Sequence, residues 1–391
     1  MSETKPVRVA VAGMGAMGRL YARWLQEQRM PGAVFSAACD ASPDFPARMG
    51  RQYPQAQLFA DSEALFCSGA ADMVIVAAPH RFHPQLGEQA LRAGLHTLVE
   101  KPAGIDAAAV RRMNQAAAQR PELVYGVMFN QRMNPLYRRI RSLVQSGEMG
   151  ALRRATWLIT TWWRPAAYYA SSPWRATWAH EGGGVLTSQA PHQLDLLQWI
   201  CGMPQRVCCH MQFGSHRGVA VEDDVTAYLE FPGGGTGVFI SCTHDVLGTD
   251  RLELLLDGGK IVVENSQRAV ICRLHRPEQE MSVDMDAQQT ARLVEGGDLR
   301  GIYEETVLEH TPQWAEQHCE MLADFVAAVR TRAPFAAPGA EGLNEVRLAN
   351  AMYLSAWQGR TVELPVDEAE FSQALAARIR AEKAQAEKEK G

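Results

Sequence analysis

No run of about 20 consecutive apolar residues, the length a membrane-spanning helix needs, occurs in the 391-residue chain. The opening MSETKPVRVAVAG has no basic stretch followed by an apolar core and cleavage site, so the expectation is a soluble, unexported, cytoplasmic protein. Long basic runs are missing too. Lys plus Arg (39) fall below Asp plus Glu (44), a formal net charge of −5, which argues against a nucleic-acid footprint. Eight cysteines are scattered without zinc-site pairing or the density of a disulfide scaffold, and read as reduced, mostly buried thiols. None of the 11 histidines forms an H-E-x-x-H or similar ligand pair, so no metal is expected. These exclusions leave small molecules as partners. There is no internal repeat. The one biased segment, rich in Glu, Lys and Ala after about residue 377, reads as a frayed, solvated helix.

What is present is ordinary globular composition, 47% apolar and 21% charged, with length for two domains. Over residues 1–129 short apolar or β-branched runs alternate with helical stretches. Strands are expected at 7–12, 34–39, near Leu58, and at 73–77, 97–99 and 123–129, with a first helix over 16–28. That order predicts a doubly wound parallel sheet. From about residue 130 the pattern changes. Val225, Ala227, Leu229 and Phe231 alternate with Thr226, Tyr228 and Glu230, and after Pro232-Gly-Gly-Gly235 the alternation returns through Val238, Ile240 and Cys242. Leu252, Leu254 and Leu256 turn at Asp257-Gly-Gly259 into residues 261–263. Residues 130–377 therefore read as an α+β domain with an open, mainly antiparallel sheet, and 378–391 as a charged tail.

The first chemical motif is Gly13-Met14-Gly15-Ala16-Met17-Gly18, placed where the first strand turns into the first helix. Glycines there permit a tight turn and let the backbone approach a pyrophosphate at a helix N-terminus. Asp40 follows 22 residues after Gly18, at the end of the second strand. A carboxylate in that place accepts ribose hydroxyls and repels a 2′-phosphate, which favours NAD over NADP. Arg48 and Arg51 are close enough in sequence to leave some NADP use open.

Glu100-Lys101-Pro102 follows the fifth strand, at the edge of the sheet where ligands bind. Lys101 there can hydrogen-bond a substrate hydroxyl and steady the oxygen as hydride leaves, or can be a surface lysine beside a turn; position alone weighs these evenly. The glycine motif, the Ala-Gly-x-His run before Glu-Lys-Pro and the later Gly-Gly-Gly, His and Asp arrangement together resemble the Gfo/Idh/MocA family of NAD(P)-dependent oxidoreductases. The resemblance spans nearly the whole chain. It takes in residues 79–83, Phe129-Asn-Gln-Arg132-Met-Asn-Pro135, Val221-Glu-Asp-Asp224 and residues 343–366. It implies that Ala78, Pro79, His83, Glu100 and Lys101 join the cofactor site.

A third motif runs from Gly182-Gly-Gly through Ser188-Gln-Ala-Pro-His192-Gln-Leu-Asp195. Pro191 suits a first helical position, which puts His192 and Asp195 at i and i+3 on one helix face. The resemblance assigns His192 to the hydroxyl proton, work that imidazole suits. Asp195 either orients His192 or bonds within its helix. Ser188 departs from the family, which often has Asp there, and a hydroxyl supplies no charge. Residues 160–178 are dense in Trp, Tyr and Arg; Arg164 and Tyr168 are candidate substrate contacts, with an interface the competing role.

The reading that results is an NAD-dependent dehydrogenase of a sugar, cyclic polyol or sugar derivative, in which Lys101, Arg164, Tyr168, Ser188, His192 and Asp195 face substrate. The alternative is an NAD-dependent glycoside hydrolase working by transient oxidation, elimination, water addition and re-reduction. A homodimer or homotetramer is expected, because an open sheet face invites a second copy.

Overall fold

The computed structural model describes residues 5–296 and 301–388. Six strands, β1 (Val7–Ala12), β2 (Ala33–Cys39), β3 (Gln57–Phe59), β4 (Met73–Val76), β5 (His96–Val99) and β6 (Tyr125–Val127), form one sheet in the order β3-β2-β1-β4-β5-β6. Every pairing in it is parallel. A strand covered on both faces must be apolar on both, and β4 is buried at all four positions while β1 exposes only Arg8. The strand order reverses beside β1, with β2 on one flank and β4 on the other, which opens a crevice at the carboxyl ends of these strands.

The second sheet has nine strands: β7 (Leu152–Ile159), β8 (Arg206–Phe213), β9 (Glu222–Glu230), β10 (Thr236–Cys242), β11 (Asp250–Leu256), β12 (Gly259–Glu264), β13 (Arg268–Leu274), β14 (Tyr303–Glu309) and β15 (Val362–Glu363). Their order is β14-β13-β12-β11-β7-β10-β9-β8-β15, and only β7 and β10 pair in parallel. Both expected hairpins are present, β9 with β10 and β11 with β12. Val225, Ala227 and Leu229 face the core, against the helices Pro135–Gln145, Pro191–Cys201 and Gly342–Gln358. Tyr228, Leu255 and Val307 stay exposed on the sheet's other face.

Three features depart from the sequence reading. The helix Glu316–Thr331 returns to the first sheet, where Met321, Leu322, Phe325 and Val326 join its core together with Phe335, Leu343 and Val346. Residues 130–377 thus contribute to both cores. The charged tail is also not frayed. It continues the helix Glu368–Lys388, whose Glu382 accepts the backbone N–H groups of Trp178 (2.9 Å) and Ala179 (3.1 Å) while Arg378 lies over Phe213 and Trp357. Residues 389–391 lie outside the described part. All eight cysteines are free, but only Cys39, Cys209 and Cys242 are buried and Cys67 is exposed.

Candidate active site

At the end of β1 the chain enters a glycine loop that a side chain would obstruct. Gly13 sits at φ +95°, and a Cβ there would stand 2.7 Å from the backbone of Ala77 and Ala78. A Cβ at Gly18 would strike the Gly13 carbonyl, so Gly18 lets the helix Ala16–Gln26 pack against the loop. At Gly15 a Cβ would meet nothing within 4 Å, so the backbone of this turn is open to a close-lying ligand. The helix starts on Gly15 with no side-chain cap and no acidic residue in its first turn, which leaves the N–H groups and positive dipole end at Ala16 and Met17 for an anion. Met14 buries its side chain and gives its backbone N–H to Asp40 Oδ2 (2.9 Å); Oδ1 takes Ser42 N–H (3.1 Å). Each carboxylate oxygen keeps a lone pair for a further donor. Loop, helix end and Asp40 together fit a dinucleotide.

Lys101 leaves the end of β5, one residue past Glu100, and reaches across to the second domain, where its Nζ donates to the Ser188 carbonyl (2.9 Å). The peptide between Lys101 and Pro102 is cis. Burial pulls the Lys101 ammonium below its usual range, opposed by the carboxylates Glu100, Glu345 and Glu181 and assisted by Arg164. His192 stands in the first turn of the helix Pro191–Cys201, with Pro191 in the expected place. Its Nδ1 is buried without a partner among the described residues. Burial, then Lys101, then His318 hold the imidazole well below its ordinary value, so it is neutral at neutral pH. A neutral imidazole thus stands within the field of a lysine ammonium at the carboxyl edge of the parallel sheet.

The remaining expected residues divide. Ser188 turns its hydroxyl to Glu181 (2.7 Å), and only its carbonyl meets Lys101. Tyr168 accepts from Gln189 Nε2 (3.0 Å) and from Arg175, with Arg164 lying 5.0 Å above its ring. Those bonds bring the aromatic loop to the edge of the lysine site. Asp195 is not brought to His192. Its carboxylate is gripped on both oxygens by Arg132 (2.7 and 2.8 Å), whose guanidinium is fully buried between Phe129 and Trp199. Glu100 also points inward, accepting Tyr21 Oη–H and the Lys101 N–H. Both ring nitrogens of His83 lie 2.7 Å from carbonyls, those of Ala78 and Pro102, so His83 ties the loop after β4, where Pro79 lies, to the one after β5. Asp195, Glu100 and His83 therefore support the site instead of lining it.

Three contributors escaped the sequence reading. Glu345 is completely buried with neither carboxylate oxygen partnered among the described residues, and burial followed by Asp195 pushes its carboxyl well up while Lys101 opposes. Its signal was a lone acid on the apolar face of a helix that also carries Leu348, Ala349 and Met352. His318, from the returning helix, faces Asn130 (3.3 Å) and is pushed down to about 4 by burial and Lys101. His80 Nδ1 lies 3.2 Å from the Glu181 carbonyl, its ring against Trp174, joining the two domains beside Lys101. His80 lies within the 79–83 stretch that carries the resemblance but was not singled out there, and no sequence signal marks His318.

Residues 7–128 match the oxidoreductase family with an NAD-binding Rossmann fold, GFO/IDH/MocA, and residues 137–262 match the GFO/IDH/MocA C-terminal domain. The chain belongs to this family. Similar GFO/IDH/MocA proteins include an inositol 2-dehydrogenase of Corynebacterium glutamicum, 30% identical over 51% of this chain and 55% of that one. The chain thus matches about half the length of this relative. A myo-inositol 2-dehydrogenase of Thermotoga maritima is 23% identical over 92% of this chain and 98% of its own. Among solved structures, the WlbA dehydrogenase of Bordetella pertussis, in complex with NADH and UDP-GlcNAcA, has the same fold. It superposes with a TM-score of 0.76 at 21% identity, covering 93% of this chain and 99% of that one.

Proposed function

We propose that the protein is an NAD-dependent dehydrogenase that oxidises a hydroxyl-bearing carbon of a sugar, cyclic polyol or sugar derivative. The observation that carries this reading is Lys101, just past the end of β5, reaching the Ser188 carbonyl on the segment that leads into the helix of His192, whose Nδ1 is buried and has no partner among the described residues. NAD, when bound, supplies the hydride acceptor. Gly13 to Gly18 and Asp40 hold it, and the Asp40 carboxylate disfavours a 2′-phosphate. His192 takes the proton of the substrate hydroxyl, since no protein partner among the described residues fixes a proton on Nδ1. Lys101 donates a hydrogen bond to the same oxygen and is aimed by its bond to the Ser188 carbonyl. Tyr168 and Arg164 present an aromatic face and a cation at the rim, suited to sugar C–H surfaces and hydroxyls. The dehydrogenases of inositol and of D-glucoside among the relatives support the substrate class. The half-exposed Tyr228, Leu255 and Val307 mark the sheet face a second copy would cover, giving a dimer or tetramer that light scattering would detect and a monomer would refute.

His192→Ala and Lys101→Met should each lower kcat/KM by about 10²-fold or more while leaving NAD affinity within a few fold. Variants that turn over like the parent would remove these residues from the chemistry.

A further inference from the structure

Away from the lysine site, one other group of side chains among the described residues concentrates ligand chemistry. Asp224 and Cys242 are direct cross-strand partners on β9 and β10, so their side chains leave the same face of the sheet with Cβ atoms about 5 Å apart. Two residues further on, His244 returns to that side, and its Nε2 lies 2.8 Å from Asp224 Oδ2. One carboxylate oxygen, the Cys242 sulfur and one imidazole nitrogen all fall within 4.8 Å of one another. One further feature supports this group. The His216 ring stacks on His244, with centroids 3.7 Å apart and planes within 22°, and is itself anchored by its backbone N–H to Asp223 (2.8 Å).

We propose that Asp224, Cys242 and His244 bind a divalent cation of the zinc class. A thiolate, an imidazole and a carboxylate form a donor set that suits zinc or cobalt and not magnesium or calcium. With Zn–S near about 2.3 Å and Zn–N near about 2.0 Å, tetrahedral donors stand about 3.5 Å apart, so side-chain rotations of about 1 Å close the site. Binding releases one proton from the Cys242 thiol, and the bond between His244 and Asp224 is exchanged for bonds to the metal. The side chains of His244 and Asp224 are 26% and 28% exposed, which leaves the fourth position to water.

The place of the site gives it a role. Thr243, between two of the ligands, accepts the backbone N–H of Arg164 (2.9 Å) at its carbonyl and the Tyr169 hydroxyl (3.0 Å) at its own. A cation that fixes Cys242 and His244 therefore fixes the strand end from which the aromatic loop hangs. The existence of the site does not depend on which reaction Lys101 and His192 perform.

Cobalt(II) added to the full chain after chelator treatment should give a thiolate-to-cobalt charge-transfer band in the near ultraviolet, saturating at about one equivalent. Zinc should bleach the band. Cys242→Ser should abolish it and His244→Gln should weaken it, while Cys208→Ser, on the neighbouring strand, should leave it intact. Two variants guard against the misfolding of one. A parent protein that gives no such band overturns the proposal, and so does a band that survives Cys242→Ser or is unchanged in His244→Gln.

Discussion

At the scale of single residues, the account turns on which groups near Lys101 carry charge. His192 is depressed by burial first and by Lys101 and His318 after it. A base must be unprotonated to work. Because the folded value lies below the usual value of about 6.5, kcat/KM should stay level as pH falls through 6.5 and decline only at distinctly lower pH. An acid limb centred at or above 6.5 would assign the base to another group. Glu345 acts from behind. Its buried carboxyl favours the ammonium form of Lys101, against the burial that lowers it. Glu345→Gln keeps the shape and removes the charge that the raised carboxyl carries once alkaline pH ionises it, so Lys101 loses its proton at lower pH and the alkaline limb of kcat/KM should move down by about one unit. An unmoved alkaline limb would show that Glu345 does not reach Lys101.

At the scale of elements, the Arg132–Asp195 pair holds the helix of His192 to the turn after β6. Both side chains are buried, so Arg132→Met leaves an uncompensated carboxylate and should cost about 3–5 kcal/mol in denaturant unfolding. A cost under about 1 kcal/mol would mean that Asp195 finds another donor or a proton without penalty. This pair also marks the limit of what sequence discloses. The glycine loop, β5 with Glu-Lys-Pro, and the two hairpins were legible because their signals are local: a turn needing glycine, a strand period, an alternation. Arg132 and Asp195 are 63 residues apart, and nothing in either segment names its partner. Spacing left Asp195 to His192 or to a bond within its helix; the helix bond forms, from Gln198 Nε2 (3.1 Å), and only the fold shows that Arg132 grips the carboxylate as well. The ligand group Asp224, Cys242 and His244 was hidden in the same way, since strand register and not a ligand-spacing motif brings it together.

At the scale of the whole molecule, two cores meet around Lys101. Lys101 reaches from the first sheet to Ser188, His80 reaches to Glu181, and the returning helix carries His318 back across the boundary. Composition cannot show this return, because the returning helix's apolar stripe has no mark of which sheet it covers. The tail was misread for a related reason: Glu382 binds backbone N–H groups about 200 residues away. The central claim is a hydride transfer from a carbohydrate-like hydroxyl, with His192 as base. Its most direct test is incubation of the protein with NAD and, separately, NADP against free sugars, inositols and aryl glycosides, following the NADH band and released aglycone in parallel. NADH should accumulate with a sugar or cyclitol, faster with NAD than with NADP, without aglycone, and the accumulation should be lost in His192→Ala. Aglycone release without net NADH would contradict it and establish redox-assisted hydrolysis in its place.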